Sequence, residues 1–260
     1  MNNMLKGRVT REFGVRVTSI LLACMATLAD LPANANEHDT HASTWNLPND
    51  LLKTSNQISF NQGARDVWYF MQSTSFVHNP IRYSLLPDYE ALCQITPTGS
   101  SGPETVPGLP CWKNFSQPAD HLPQADLNVT NTAQVRHGVT FPPHAFAVHP
   151  SPIGFAIVAW RSPVRGTVNV NGFFTDLNPC SNGVIWTIDR GATTLASGEI
   201  NDNSESFNLS QVHVARGQVL YFIVDPNGDY SCDTTQLELN ISARESHDEW
   251  DDDKGSNGGE

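Results

Sequence analysis

The 260-residue sequence contains no run of about 20 apolar residues outside its first 35 positions, so no helical membrane span is expected in the remainder. Basic side chains are scarce: 15 Lys and Arg stand against 27 Asp and Glu, a formal net charge of −12. A surface of that sign repels phosphates, which excludes DNA and RNA as partners. Catalytic signatures are missing as well: there is no G-x-S-x-G elbow, no H-E-x-x-H and no P-loop. The five cysteines include no C-x-x-C pair, which argues against a zinc or thioredoxin-like centre. Nor do the apolar residues recur with the 3.6-residue period of an amphipathic helix.

What is present first is an export signal. Lys6, Arg8, Arg11 and Arg16 precede an uncharged run from Val17 to Ala29, and Leu31-Pro32-Ala33-Asn34-Ala35 supplies the small residues of a cleavage site. That run is too short to anchor the chain. Residues 1–35 therefore read as a signal peptide cleaved after Ala35, with lipidation of Cys24 in Leu21-Leu22-Ala23-Cys24 as the alternative. Either reading places the mature chain outside the cytoplasm: secreted, periplasmic or at the cell surface. Cleavage removes four basic and two acidic residues and makes the charge more negative still. Four cysteines remain, and four allow three pairings. Cys93–Cys111 and Cys180–Cys232 are favoured, because each pair then falls within one stretch of chain.

Residues 36–55 are polar and read as a flexible lead. Residues 56–130 hold two strand-like clusters, Val67–Met71 and Tyr83–Leu86, followed by a Pro-, Gly- and Ser-rich stretch flanked by Cys93 and Cys111. From 131 to 244 the period is two. Val168 and Val170 alternate with Asn169 and Asn171; Val184, Trp186 and Ile188 alternate with Ile185, Thr187 and Asp189; Leu237, Leu239 and Ile241 alternate with Glu238, Asn240 and Ser242. Phe155–Trp160 and Val219–Val224 are apolar throughout, as strands covered on both faces are. Short strands at this spacing predict an all-β, antiparallel, jelly-roll-like sandwich with disulfides, preceded by a short strand-and-loop segment packing on it. Residues 245–260 carry seven acids and one lysine and read as a disordered acidic tail.

Several segments are similar to a family of exported bacterial domains. They are Asp66-Val67-Trp68-Tyr69, Val148-His149-Pro150-Ser151-Pro152, Trp160-Arg161-Ser162-Pro163 with Gly166-Thr167, Gly217–Phe222, and Asp233-Thr234-Thr235. The resemblance spans about residues 56–243. It implies a jelly-roll sandwich akin to carbohydrate-binding modules, at the surface or outside the cell.

Three constellations could carry a ligand. Asp225, Asn227 and Asp229 place oxygen donors at alternate positions, Asp233 follows four residues on, and a Cys180–Cys232 bond would add Asp176 and Asn178, a donor set suited to calcium. The same residues also cap tight turns through their own backbone. Trp68, Tyr69, Trp112 and Tyr230 lie in polar or loop sequence and could stack on sugar rings, whereas Trp160 and Tyr221 lie in the most apolar strands and read as core. After cleavage, Asn36-Glu37-His38 could hold Cu(II) or Ni(II) in a square plane. The remaining histidines show no ligand spacing and read as surface or satisfied residues.

The expectation is a non-catalytic carbohydrate-binding module. The first alternative is a structural or adhesive surface protein, and the second a hydrolase whose acids converge only in three dimensions.

Overall fold

Alternating side chains build most of the strands. The computed structural model describes residues 42–53, 62, 67–95, 104–116 and 121–244. The signal segment, Cys24, Asn36-Glu37-His38, Asp66 and the acidic tail lie outside these residues.

In chain order the strands are β1 (Ala42–Asn46), β2 (Trp68–Gln72), β3 (Ser84–Leu85), β4 (Asp88–Glu90), β5 (Gln94–Ile95), β6 (Glu104–Thr105), β7 (Cys111–Lys113), β8 (Gln124–Leu127) and β9 (Gln134–Arg136). They continue as β10 (Val139–Phe141), β11 (Phe146–His149), β12 (Ala156–Arg161), β13 (Gly166–Asp176), β14 (Val184–Arg190), β15 (Thr193–Ile200), β16 (Ser204–Val214), β17 (Val219–Asp225) and β18 (Thr235–Arg244). One short α-helix, α1 (Leu47–Lys53), follows β1.

Two antiparallel sheets form the sandwich. One runs β16-β13-β18-β11-β8-β7-β4, with β1 also paired to β18; the other runs β15-β14-β17-β12-β2-β3. Val168, Val170, Leu237, Leu239 and Ile241 of the first sheet pack with Val158, Trp160, Trp186, Ile188 and Phe222 of the second in one buried core. The expected alternation is thus realised with the apolar set inward. Strand β12 is covered on both sides. Ala156, Val158 and Trp160 face the main core, while Ile157, with the preceding Phe155, joins Tyr83 and Ile223 in a smaller cluster. In the middle of β13, Gly172 lies so close to β18 that a methyl group would meet the Glu238 carbonyl and Phe207. Only glycine fits there.

The expected disulfides form: Cys93–Cys111 and Cys180–Cys232. Two boundaries are corrected. Residues 42–53, expected within a flexible lead, form β1 and α1: Trp45 is buried opposite Ile241, and Leu47 and Leu51 sit in the core. Burial of these three apolar side chains holds a segment whose polar composition suggested solvent. The sheets also run on through residue 131. β2 pairs with β12, β8 with β11 and β7 with β8, so the earlier segment is woven into both layers rather than laid upon them.

Candidate functional site

Strand β8 sets two polar side chains two residues apart, hence on one face. Gln124 Nε2 donates to Asp126 Oδ2 at 2.8 Å, and Arg136 Nη2 donates to Asp126 Oδ1 at 2.9 Å. Asp126 is fully buried. Burial pushes its carboxyl above the ordinary range, while Arg136, Lys113 and Gln124 pull against that shift. Arg136 arrives from the β9–β10 hairpin, whose turn is made by His137 and Gly138 at φ 49° and 81°. Two successive positive φ values are what a two-residue hairpin turn of matching twist requires, and glycine supplies the second without strain. The returning strand brings Phe141 beneath the guanidinium, 5.1 Å from ring centroid to Cζ.

Gln124, Arg136, His137 and Phe141 line a cavity of about 290 Å³, while Asp126 lies behind them and does not. Ile95, Leu122, Val139 and Phe141 supply its apolar lining, and Gln124, Arg136, His137, His149 and Asn178 its polar lining. Tyr230, half-buried, and the Cys180–Cys232 bond complete it. His137 is fixed by its backbone N–H, which donates to Glu104 Oε2 at 2.8 Å, and its ring Nε2 lies 3.2 Å from the Ile95 carbonyl. His149 Nδ1 donates to the Pro150 carbonyl at 2.8 Å. Two polar atoms of the lining residues are buried with no partner among the described residues: Gln124 Oε1 and Arg136 Nη1.

Beside the cavity runs the acidic turn. Asp225 Oδ1 accepts from the Asn227 N–H at 2.9 Å, and Asp229 Oδ1 from the Ser231 N–H at 3.0 Å and its hydroxyl at 2.8 Å. Asp176 accepts from the N–H groups of Asn178 and Asp202 at 3.0 and 3.1 Å. Each of these carboxylates therefore caps a backbone turn. Asp233 differs: it is fully buried, Oδ1 accepts from the Ser181 hydroxyl at 2.8 Å, and Oδ2 has no partner among the described residues. Burial pushes its carboxyl up to about 8; Ser181 opposes the shift, and the charges of Asp176, Asp229 and Asp225 add to it. The four acids feel one another, yet no three offer oxygens within 4.8 Å of one another. The cluster that does meet that distance, Glu90 with Cys93 and Cys111, has both sulfurs in a disulfide and cannot coordinate through thiolates.

The expected aromatic platform is corrected at two of its four positions. Trp68 and Trp112 are 0% and 2% exposed. Trp68 alternates inward with Phe70 on β2, and its Nε1 donates to buried Asp50 Oδ2 at 3.0 Å. Trp112 packs on Phe70 and Tyr89 at centroid distances of 4.8 and 5.1 Å. Both indoles serve the core, and their polar neighbours in sequence belong to the other face of the strand or to the flanking loops. Tyr69 is half-buried on the opposite face of β2 and does not line the cavity; Tyr230 does. Gln124, Asp126 and Arg136 carried no sequence signal beyond a Gln-x-Asp step, and His137 and His149, read as unremarkable, line the site.

No protein-family model matches this chain, and no curated protein matches it. Solved structures do. The CBM36-1 domain of a multidomain xylanase from the hindgut metagenome of Trinervitermes trinervoides is 13% identical, over 44% of this chain and 91% of that one, with a TM-score of 0.30. A carbohydrate-binding module CBM36 in complex with calcium and xylotriose is 14% identical over 40% and 82%, at a TM-score of 0.26. A family 29 carbohydrate-binding module complexed with mannohexaose is 12% identical over 60% and 91%, at a TM-score of 0.29.

Proposed function

We propose that this chain is an exported, non-catalytic binding protein that holds a carbohydrate in the cavity beside Tyr230. The observation that carries the reading is the composition of that cavity: an apolar lining, one half-buried aromatic ring and several fixed polar groups. Such a mixture suits a sugar, whose C–H faces pack on apolar and aromatic surface while its hydroxyls need partners. No carboxylate occurs among the described lining residues, so the paired acids of glycoside hydrolysis are not supplied there. The cleavable leader in the sequence and the two disulfides favour an oxidising compartment outside the cytoplasm.

Calcium belongs to this proposal at the acidic turn, where binding would have to draw the carboxylates together, since no three of them bring oxygens within 4.8 Å of one another. Asp233 Oδ2 is an unpartnered buried acceptor, and a cation would offset the repulsion that Asp176, Asp225 and Asp229 exert on it. Asn227, joined to Asp225 through its backbone N–H, would supply a further oxygen.

The test is a polysaccharide and oligosaccharide binding screen on the full chain and on Tyr230→Ala, each with calcium and with chelator. Binding that weakens at least about tenfold in Tyr230→Ala is expected, the scale of a lost aromatic contact in a desolvated site. Loss of binding or a lower Tm in chelator would support calcium at the turn; identical curves would remove it. The absence of any glycan ligand would overturn the carbohydrate reading.

A second reading, adhesion or self-assembly, has its own observation. Phe76, Val77, Ile81 and Leu85 are large, apolar and exposed within ten residues, and the eleven-residue β16 ends its sheet. Concentration-dependent association in sedimentation would favour it.

A further inference from the structure

Charge on this chain is sorted by strand end. β12 ends at Arg161, opposite Val219 at the start of β17, and β14 ends at Arg190, opposite Leu220. Arg165 sits in the turn between β12 and β13, and Arg216 in the turn between β16 and β17. Backbone bonds tie the two turns together: the Gly217 N–H donates to the Ser162 carbonyl at 2.6 Å, and the Ser162 N–H to the Gln218 carbonyl at 2.8 Å. The Arg161 guanidinium lies against Gly217, where an added methyl group would stand 3.7 Å from Nη2. Arg190 is half-buried and donates Nη1 to the His213 carbonyl at 3.0 Å, whereas Arg161, Arg165 and Arg216 are exposed. None of the four takes part in an ion pair among the described residues. Asp189, the acid next to Arg190, is buried against His78. No Asp or Glu occurs in residues 156–175, 190–198 or 206–224, so this end of the strands is positive on an acidic chain.

The same strands carry acids at their other ends. β13, which begins beside Arg165, finishes at Asp176; β17, which follows Arg216, finishes at Asp225 and leads to Asp229. The turn between β15 and β16 adds Asp202, and Glu199 on β15 accepts from Asn227 Nδ2 at 3.3 Å. Glu199, Asp202 and Asp229 are exposed. The eleven residues of β13 hold the two ends roughly 33 Å apart. The Debye length at physiological salt is about 8 Å, so each end presents its own sign to whatever touches it.

We propose that these two ends are docking surfaces for each other, the arginine end of one copy seating on the acidic end of the next. A second copy is the partner whose complementary surface the structure itself describes: three exposed acids to meet three exposed arginines. Guanidinium and carboxylate groups brought together in this way form charge-assisted, often bidentate hydrogen bonds. The net negative charge repels two copies at a distance, but salt screens that repulsion and leaves the contact to the charges that touch. The contact joins two different patches, so a pair does not close on itself and copies add in a row. This goes beyond the carbohydrate reading and does not depend on it, and it uses neither Phe76, Val77, Ile81 nor Leu85.

The experiment is sedimentation velocity on the full chain over a concentration series, in about 0.15 M and about 1 M sodium chloride, which shortens the Debye length from about 8 to about 3 Å. It is repeated on Arg161→Glu/Arg165→Glu/Arg216→Glu, on Glu199→Lys/Asp202→Lys, and on an equimolar mixture of the two variants, with thermal melts as a check on folding. The wild-type chain should associate in the lower salt and dissociate in the higher. Each variant alone should associate at least about tenfold more weakly. The mixture should recover association, because the introduced glutamates then face the introduced lysines. Where a variant fails to fold, the salt series on the wild-type chain carries the test. Association indifferent to salt and to both variants overturns the inference and leaves the exposed apolar residues as its source. A monomer at every concentration in the lower salt overturns it as well.

Discussion

Asp233 shows how much a single buried carboxyl can impose. Its folded-state carboxyl titrates near 8, whereas an unfolded aspartate titrates near 4. The fold therefore prefers the protonated form. The stability this contributes is fully present below about pH 4 and is lost as pH rises through about 8. In chelator, Tm should fall between pH 5 and 8, and Asp233→Asn, which keeps an acceptor for Ser181, should flatten that slope; an unchanged slope would assign the pH dependence to another group. At this scale the sequence is partly readable. The run Asp225–Asp233 advertises itself because three acids and an asparagine fall within nine residues of chain, and Tyr230 among them lines the cavity. The Gln124–Asp126–Arg136 set is silent because Arg136 lies ten residues beyond Asp126 on a strand that does not pair with β8, and nothing local distinguishes Arg136 from a surface arginine. Trp68 and Trp112 mislead for the converse reason: polar neighbours in sequence say little about a strand whose two faces meet different environments.

Among the elements, the loops joining β13 to β14 and β17 to β18 matter most, since the second delivers Tyr230 and the first is bonded to it through Cys180–Cys232. Their sequence separation of 52 gives the cross-link a loop-entropy value of about 4 kcal/mol. The double variant Cys180→Ser/Cys232→Ser should lose up to about that much in denaturant unfolding, and glycan affinity should fall with it as the Tyr230 loop loses its tether. Retained affinity at lowered stability would show that the loop is held by its other contacts. Strands with alternating burial, such as β13 and β18, are legible in the sequence because each has one inward face, and β14 is legible from its alternating Val184, Trp186 and Ile188 although Thr187 and Asp189 on its other face are buried too. Strand β7 is not: it sits in a stretch whose prolines and glycines announce loop, and only pairing with β4 and β8 makes it a strand. Long-range partners likewise convert residues 42–53 from a polar lead into structure.

In the molecule as a whole, the earliest and latest described segments are neighbours. β1 pairs with β18 along its length, with Ala42 opposite Arg244 and Asn46 opposite Asn240. The Asn46 side chain reinforces the ladder by donating to Glu238 Oε1 at 2.9 Å and Asn240 Oδ1 at 2.7 Å. Ends this close predict that a circular permutant, joined between 42 and 244 by a short flexible linker and opened at the exposed turn of Asn201–Asn203, will fold. Its thermal melt should remain cooperative; a broad, non-cooperative transition would mean that β1 must precede the rest of the chain.

The antiparallel sense of that same pair sets how the protein answers to pulling. A load applied across residues 42 and 244 enters at one end of a single ladder, with the two strands lying side by side and their outer ends together. The rungs are then strained one after another, as in a zipper, rather than all together in shear. The β1–β18 seam is the point of yield, so tension drawn through residues 42 and 244 would peel off β1 at low force and leave the cavity lined from β8, β9 and β10 in place.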